Sequence, residues 1–189
     1  MKKGVIPVLT LVQTGVLVSL IVVCSQLAIP FPTGVPITLQ TFAIALCGFV
    51  LGEKKSILAM GVYLLLGVIG IPVFANFKGG PGVLLGLTGG FLWGFFLLAF
   101  FCGLSLRFKR ADGKQNRGAA ILLCGVGLML CHGLGVLQFY FLSGNSLLQS
   151  FCIASLPYIL KDAISILLAG LLGKRLSGMV NKRNSKQAG

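Results

Sequence analysis

Acidic side chains are nearly missing from this chain: three Asp and Glu stand among 189 residues, beside one His and one Trp. That scarcity removes the carboxylate clusters and His sets that metal-assisted chemistry needs. Six cysteines are present, at 24, 47, 102, 124, 131 and 152, but no pair has the two-residue spacing of a thiolate metal or redox site. All six fall inside apolar runs and read as small core or lipid-facing residues. Cys131 and His132 are adjacent, and neighbours on a helix point about 100° apart, so His132 reads as a packed or pore-facing ring rather than a ligand. A phosphate-cradling G-x-x-x-x-G-K-[ST] loop is also missing. Gly170-Leu171-Leu172-Gly173-Lys174-Arg175 has the wrong spacing and lacks the hydroxyl, so the sequence offers no ATPase site of its own. Neither an internal repeat nor a second domain is visible.

What the chain has is apolar surface and positive charge. It is 56% hydrophobic and only 10% charged, with a mean hydropathy of +0.99, whereas about a quarter of the residues of a soluble domain are charged. Lipid is therefore its solvent. A net charge of +13 would suggest nucleic acid in a soluble protein, but here the basic residues flank apolar spans, where they suit anionic lipid and cytoplasm. Met1-Lys2-Lys3 followed by an apolar stretch imitates a secretory signal. The run to Ile29 is too long for that, and Ile21-Val22-Val23 is bulkier than a cleavage site prefers, so it is read as a retained first helix.

A membrane helix needs about 20 apolar residues. Runs near 8–29, 38–52, 56–71, 87–106, 118–142 and 157–173 predict six transmembrane helices, two of them short, in an all-α fold. Pro30 to Pro36, Glu53-Lys54-Lys55, Pro72 to Gly86, Arg107 to Arg117 and Ser143 to Ser146 punctuate them. Counted over alternate gaps, fourteen of the sixteen Lys and Arg fall on one side and only Lys78 and Lys161 on the other. The positive-inside rule then puts both termini in the cytoplasm. Residues 1–176 form a single membrane domain, and 177–189 a basic cytoplasmic tail expected to fray.

The outward connections differ in character. The first is rich in Pro, the second in Gly, and the third carries an apolar stretch from Leu147 to Leu156. Irregular backbone at membrane depth survives only when covered by protein or lining a cavity, so the outer half is the expected place for a binding site. Glu53 and Asp112 lie among basic residues in inward gaps, where solvation is expected. Asp162 enters with the last apolar run, where a charge must be paired or face a polar cavity. It is a candidate for ligand contact, or for an ion pair with Lys161 or Lys78. Ser165 shares its helix face, whereas Lys161 should point elsewhere. Thr38, Gln40, Asn76 and Thr88 are polar residues on the same side, with Phe74, Trp93, Tyr140 and Tyr158 as aromatic walls. A largely apolar lining with a few amides and one carboxylate suits a small amphiphilic molecule.

Three segments in order carry a family resemblance: Val35-Pro36-Ile37-Thr38-Leu39-Gln40-Thr41-Phe42, then Gly70-Ile71-Pro72-Val73-Phe74-Ala75 with its glycine-rich sequel, then Gly86-Leu87-Thr88-Gly89-Gly90-Phe91. Together they closely resemble the BioY family, biotin-specific substrate-capture subunits of energy-coupling factor transporters. The resemblance implies six helices in a bacterial plasma membrane and a biotin pocket near the outer face, closed by the first, third and fifth loops. It also implies docking on a membrane coupling subunit with two cytoplasmic ATP-hydrolysing subunits, and no cofactor beyond the transported biotin. In the family an Asp of the last helix is usually followed three residues later by Lys. Here Asp162 is followed by Ser165, and Lys161 precedes the acid. The small residues four apart that dock helix 1 correspond here to Gly15 and Ser19.

With biotin as ligand, Asp162 is expected to accept the ureido N–H groups, and Asn76 or Gln40 to complete the ring's hydrogen bonds. Lys78 or Lys161 would meet the valerate, while Trp93, Phe74 and Tyr140 pack on the rings and chain. A capture subunit for another vitamin is the nearest alternative. A membrane-embedded lipid-modifying transferase would need more acid–base or metal residues than one intramembrane acid, and a scaffold would have plainer outer loops. A cationic partner for the valerate predicts that biotin methyl ester binds the purified chain more weakly than biotin. Equal affinities by calorimetry would remove that partner.

Overall fold

Without water to satisfy their backbone groups, apolar runs in lipid must close their hydrogen bonds internally, which makes them helices. The computed structural model describes residues 8–32, 34–109 and 115–187, with 177–187 as backbone alone. The readings placed on Lys2, Lys3, Arg110, Asp112 and Lys114, and on the side chains of the basic tail, lie outside what is described.

In chain order the elements are α1 (Val8–Gln26), an antiparallel pair β1 (Ala28–Ile29) and β2 (Ile37–Thr38), α2 (Gln40–Val68), α3 (Pro81–Leu85), α4 (Gly89–Leu104), α5 (Arg117–Ser143), α6 (Leu147–Ala154) and α7 (Leu156–Gln187). Apart from the two-residue strands, the described chain is all helix and turn. Four stretches, Val8–Gln26, Gly89–Arg107, Arg117–Ser143 and Leu156–Leu176, are long and apolar enough to cross a membrane.

The two short runs near 38–52 and 56–71 both lie in α2. The helix breaks at Gly52, whose φ of 76° and ψ of 174° suit a residue without Cβ. Limbs of 40–51 and 53–68 result. Glu53-Lys54-Lys55 is thus the first turn of the second limb rather than a loop, and Glu53 is paired with Arg107 instead of merely solvated. At the other end of the chain, the backbone of α7 is helical to Gln187.

Helix α4 packs between α2 and α5. A Cβ placed on Gly94 would stand 2.6 Å from the Cys131 Cα of α5, so only Gly allows this approach, the means by which helices associate when lipid gives no hydrophobic drive. Ile44, Leu46, Met60, Leu98 and Cys102 form a fully buried core around the contact. Lys55 Nζ donates to Thr10 Oγ1 at 3.1 Å and Arg107 reaches Glu53, which gathers the start of α1, the break in α2 and the end of α4 at one end of the bundle. The segments 27–39, 69–88 and 144–155 gather at the other. In the last of these, Ser146 and Gln149 cap α6 reciprocally, turning the apolar stretch after Ser146 into a short helix.

Overpacking at the α4–α5 contact predicts that Gly94→Val lowers thermal stability by about 1–3 kcal/mol. Gly61→Ala, where nothing lies within 4 Å of the added Cβ, should instead hold or raise the unfolding midpoint in detergent, because Ala favours a helix interior over Gly by about 0.5–1 kcal/mol.

Candidate ligand-binding site

The last helix brings a carboxylate into the bundle one turn beyond Tyr158. Asp162 is 6% exposed; its Oδ2 stands 3.2 Å from His132 Nε2 of α5, and its Oδ1 contacts Lys161 Nζ. His132 Nδ1 lies 2.7 Å from Ser155 Oγ. His132 thus stands between the Asp162 carboxylate and the Ser155 hydroxyl, with one hydrogen bond at each ring nitrogen. Lys161 was expected to point away from its neighbour, but its flexible four-carbon stem bends back so that the ammonium reaches the carboxylate and also donates to the Thr38 carbonyl at 2.8 Å.

Two loops complete the surroundings. The described residues of the first loop, 30–32 and 34–38, are turned by the β1–β2 pair, and Tyr158 holds the loop down through its hydroxyl, which donates to the Val35 carbonyl at 2.5 Å. The second loop is anchored to α2, where Gln40 Nε2 donates to Tyr63 Oη at 2.7 Å and Tyr63 in turn donates to the Val73 carbonyl at 3.2 Å. Phe74 stands edge-on to Tyr63, with ring centroids 5.5 Å apart. Asn76 and Phe77 then take left-handed φ of 59° and 56°. Asn tolerates this region; for a bulky residue it costs on the order of 1–3 kcal/mol and persists where surrounding contacts impose it.

Together these parts enclose a cavity of about 90 Å³. Of the residues singled out in the sequence, Thr38, Gln40, Phe74, Asn76, Lys78, Thr88, Lys161 and Asp162 line it, as does Tyr158. Asp162 is therefore both ion-paired and cavity-lining. Ser165 is buried on α7 but is not part of the lining. Trp93 and Tyr140 lie elsewhere. Trp93 is 48% exposed, stacks on Phe96 and borders a shallow groove with Leu134 and Phe141, while Tyr140 is exposed against Phe141. On α4 the inward positions are Phe91 and Phe95, one turn apart, and Trp93 between them faces the opposite way. On α5 they are Leu128, Cys131 and His132, again at helical spacing. Thr41 joins them from α2. The i, i+4 pair Phe91 and Phe95 was available as a signal, but the same run offers a second such pair, Phe96 and Phe100. Gly15 and Ser19 lie exposed on α1, away from the cavity. The Ser19 hydroxyl donates to the Gly15 carbonyl at 3.0 Å, leaving a smooth surface.

The BioY family model matches residues 1–182. Among curated proteins, the biotin transporter BioY of Thermotoga maritima is 38% identical over 173 residues, covering 92% of this chain and 98% of its own. The probable biotin transporter BioY of Pyrococcus horikoshii is 34% identical over 144 residues, 76% and 82% of the two chains. Among solved structures, the S-component for biotin from an ECF-type ABC transporter superposes with a TM-score of 0.81 at 28% identity, covering 92% of this chain and 94% of that one.

The bond from Tyr158 to the Val35 carbonyl predicts that Tyr158→Phe loosens the first loop. A hydrogen bond of about 0.5–1.5 kcal/mol corresponds to backbone amide exchange roughly 2- to 12-fold faster over residues 34–38, read by mass spectrometry. Unchanged protection would mean that the loop is held by other contacts.

Proposed function

The chain belongs to the BioY family, and on that premise we propose that it captures biotin as the S-component of an energy-coupling factor transporter in a cell membrane. The observation that carries this reading is Asp162, a buried carboxylate lining a largely apolar cavity at the end of the bundle that also carries the motifs of the family. Six crossings are proposed, with the two limbs of α2 counted separately. The cavity faces outward and both termini lie in the cytoplasm, as the division of fourteen basic residues against two favours.

Biotin matches the chemistry of the lining. Its ureido ring presents two N–H donors and one carbonyl, its thiophane and valeryl parts are apolar, and its carboxylate is anionic. Asp162 accepts from the ureido N–H groups. Its two present contacts, to His132 and Lys161, leave further acceptor positions on a carboxylate that has about four. The Gln40 amide N–H already serves Tyr63, so Asn76 is the amide better placed to complete the ring's hydrogen bonds. Phe74, Phe91, Phe95 and Tyr158 supply the apolar walls in the places first given to Trp93 and Tyr140. Thr38 and Thr88 add hydroxyls to the lining. Lys161 is engaged with Asp162 and the Thr38 carbonyl, whereas Lys78 is exposed at the cavity edge and is the cation proposed to meet the valerate.

Transport then needs an outside source of energy. We assign that role to a membrane coupling subunit with two cytoplasmic ATP-hydrolysing subunits, docked on the α1 face that carries Gly15 and Ser19. Small exposed residues four apart permit the close helix contact such docking requires.

Charge-assisted hydrogen bonds contribute about 1.5–3 kcal/mol each, and 1.4 kcal/mol is a factor of ten in affinity. Asp162→Asn is therefore expected to weaken biotin binding by about 10- to 150-fold in calorimetric titration of the purified chain. Wild-type affinity in that variant would take Asp162 out of the ligand contact.

A further inference from the structure

We propose that Gln26, the last residue of α1, is a positioning residue for ligand capture: its side-chain amide fixes the left-handed bend that presents Asn76 to the cavity. The inference rests on the biotin reading above and adds a residue that forms no part of the cavity lining.

The geometry is that of a clamp across the bend. Gln26 Nε2 lies 3.1 Å from the Pro72 carbonyl and 3.2 Å from the Phe74 carbonyl, and Gln26 Oε1 accepts from the Phe77 N–H at 2.9 Å. An amide has two N–H donors and one carbonyl, so both ends are used, and only one orientation of the group satisfies all three contacts. Ser25 and Tyr63 also reach this segment, but both hydrogen-bond to the Val73 carbonyl, before the bend. Gln26 alone among these three touches the backbone on both sides of Asn76.

The bend needs such a support. Asn76 and Phe77 are consecutive non-Gly residues at positive φ, and Phe77 is 71% exposed, so burial of its ring does not stabilise the conformation. The Phe74 N–H donates to the Lys78 carbonyl at 2.9 Å across the bend, and the Phe77 N–H bond to Gln26 holds the residue between them. With the clamp removed, Phe77 relaxes toward ordinary φ values, and Asn76, one residue earlier, turns with it.

The test uses the full-length chain in detergent. Gln26→Met keeps the length of the stem and deletes the amide. Calorimetric titration with biotin is expected to show affinity lowered about tenfold. Phe77→Gly, which removes the steric cost of positive φ, should change little by itself and restore most of the affinity when combined with Gln26→Met, a rescue that a general structural defect would not give. On an Asn76→Ala background, Gln26→Met should cost less than about threefold, because its effect passes through Asn76. Unchanged affinity in Gln26→Met, or losses at Gln26 and Asn76 that simply multiply, would overturn the proposal. Amide exchange of Phe77 without ligand gives a separate reading, faster in Gln26→Met if the clamp exists and unchanged if it does not. Failure of the unmodified chain to bind biotin would instead sink the functional reading and leave the clamp to be judged by that exchange rate.

Discussion

An ionised carboxylate taken out of water costs several kcal/mol unless charged or hydrogen-bonding partners stand ready around it, and Asp162 is 6% exposed. Its partners come from separate parts of the chain. His132 belongs to α5 and is itself held by Ser155 in the turn between α6 and α7, while Lys161 precedes the acid on α7 and ties it to the Thr38 carbonyl. Loss of any one partner leaves a buried charge incompletely compensated, so this group of side chains fixes how the last helix, the fifth helix and the first loop meet. The same arrangement leaves room on the carboxylate for further donors.

The division of labour between frame and loops follows from the packing. Close approach at Gly94 and the buried core around Leu98 and Cys102 hold α4 against α2 and α5, and tightly packed interiors resist deformation. From that frame project Phe91, Phe95, Leu128 and His132, which give the cavity its shape. The groups that face them across the opening, from Val35 and Thr38 to Phe74 and Asn76, sit on connections held by individual hydrogen bonds to Tyr158, Lys161, Tyr63 and Gln26. Individual hydrogen bonds are worth only about 0.5–1.5 kcal/mol net, so these loops can open at far lower cost than the helices can part.

How much of this was legible in the sequence depends on which physical signal each feature leaves. Apolar length and basic gaps are strong signals because the bilayer is a simple solvent, and they located the helical runs. Thr38 and Gln40, at the end of the first connection, and Phe74, Asn76, Lys78 and Thr88 in the second stood out because polar or aromatic side chains in and beside the irregular segments are few. Helix phase was another matter. In α4 and α5 apolar residues surround the helix, so periodicity marks no inward face, and Trp93 and Tyr140 could not be told from Phe91, Phe95 and Leu128. Lys161 was named as a possible partner of Asp162, but its direction was misread because the backbone constrains a Cβ, not an ammonium four carbons farther on. The left-handed pair at Asn76 and Phe77 left no trace at all, since Phe is among the residues least expected at positive φ.

Helix α1 ties these levels together. Its outer face, exposed at Val12, Gly15, Val16 and Ser19, has little to gain from lipid, which is as apolar as its own side chains, so a specific partner there must act through close packing. Its inner face is buried through Leu17, Val18 and Ile21, and its last residue grips the backbone around Asn76. A helix is stiff along its axis, and 19 residues at about 1.5 Å each span roughly 28 Å, close to the thickness of the hydrocarbon core. At one end of that length, three hydrogen bonds from Gln26 connect α1 to the bend at Asn76 and Phe77.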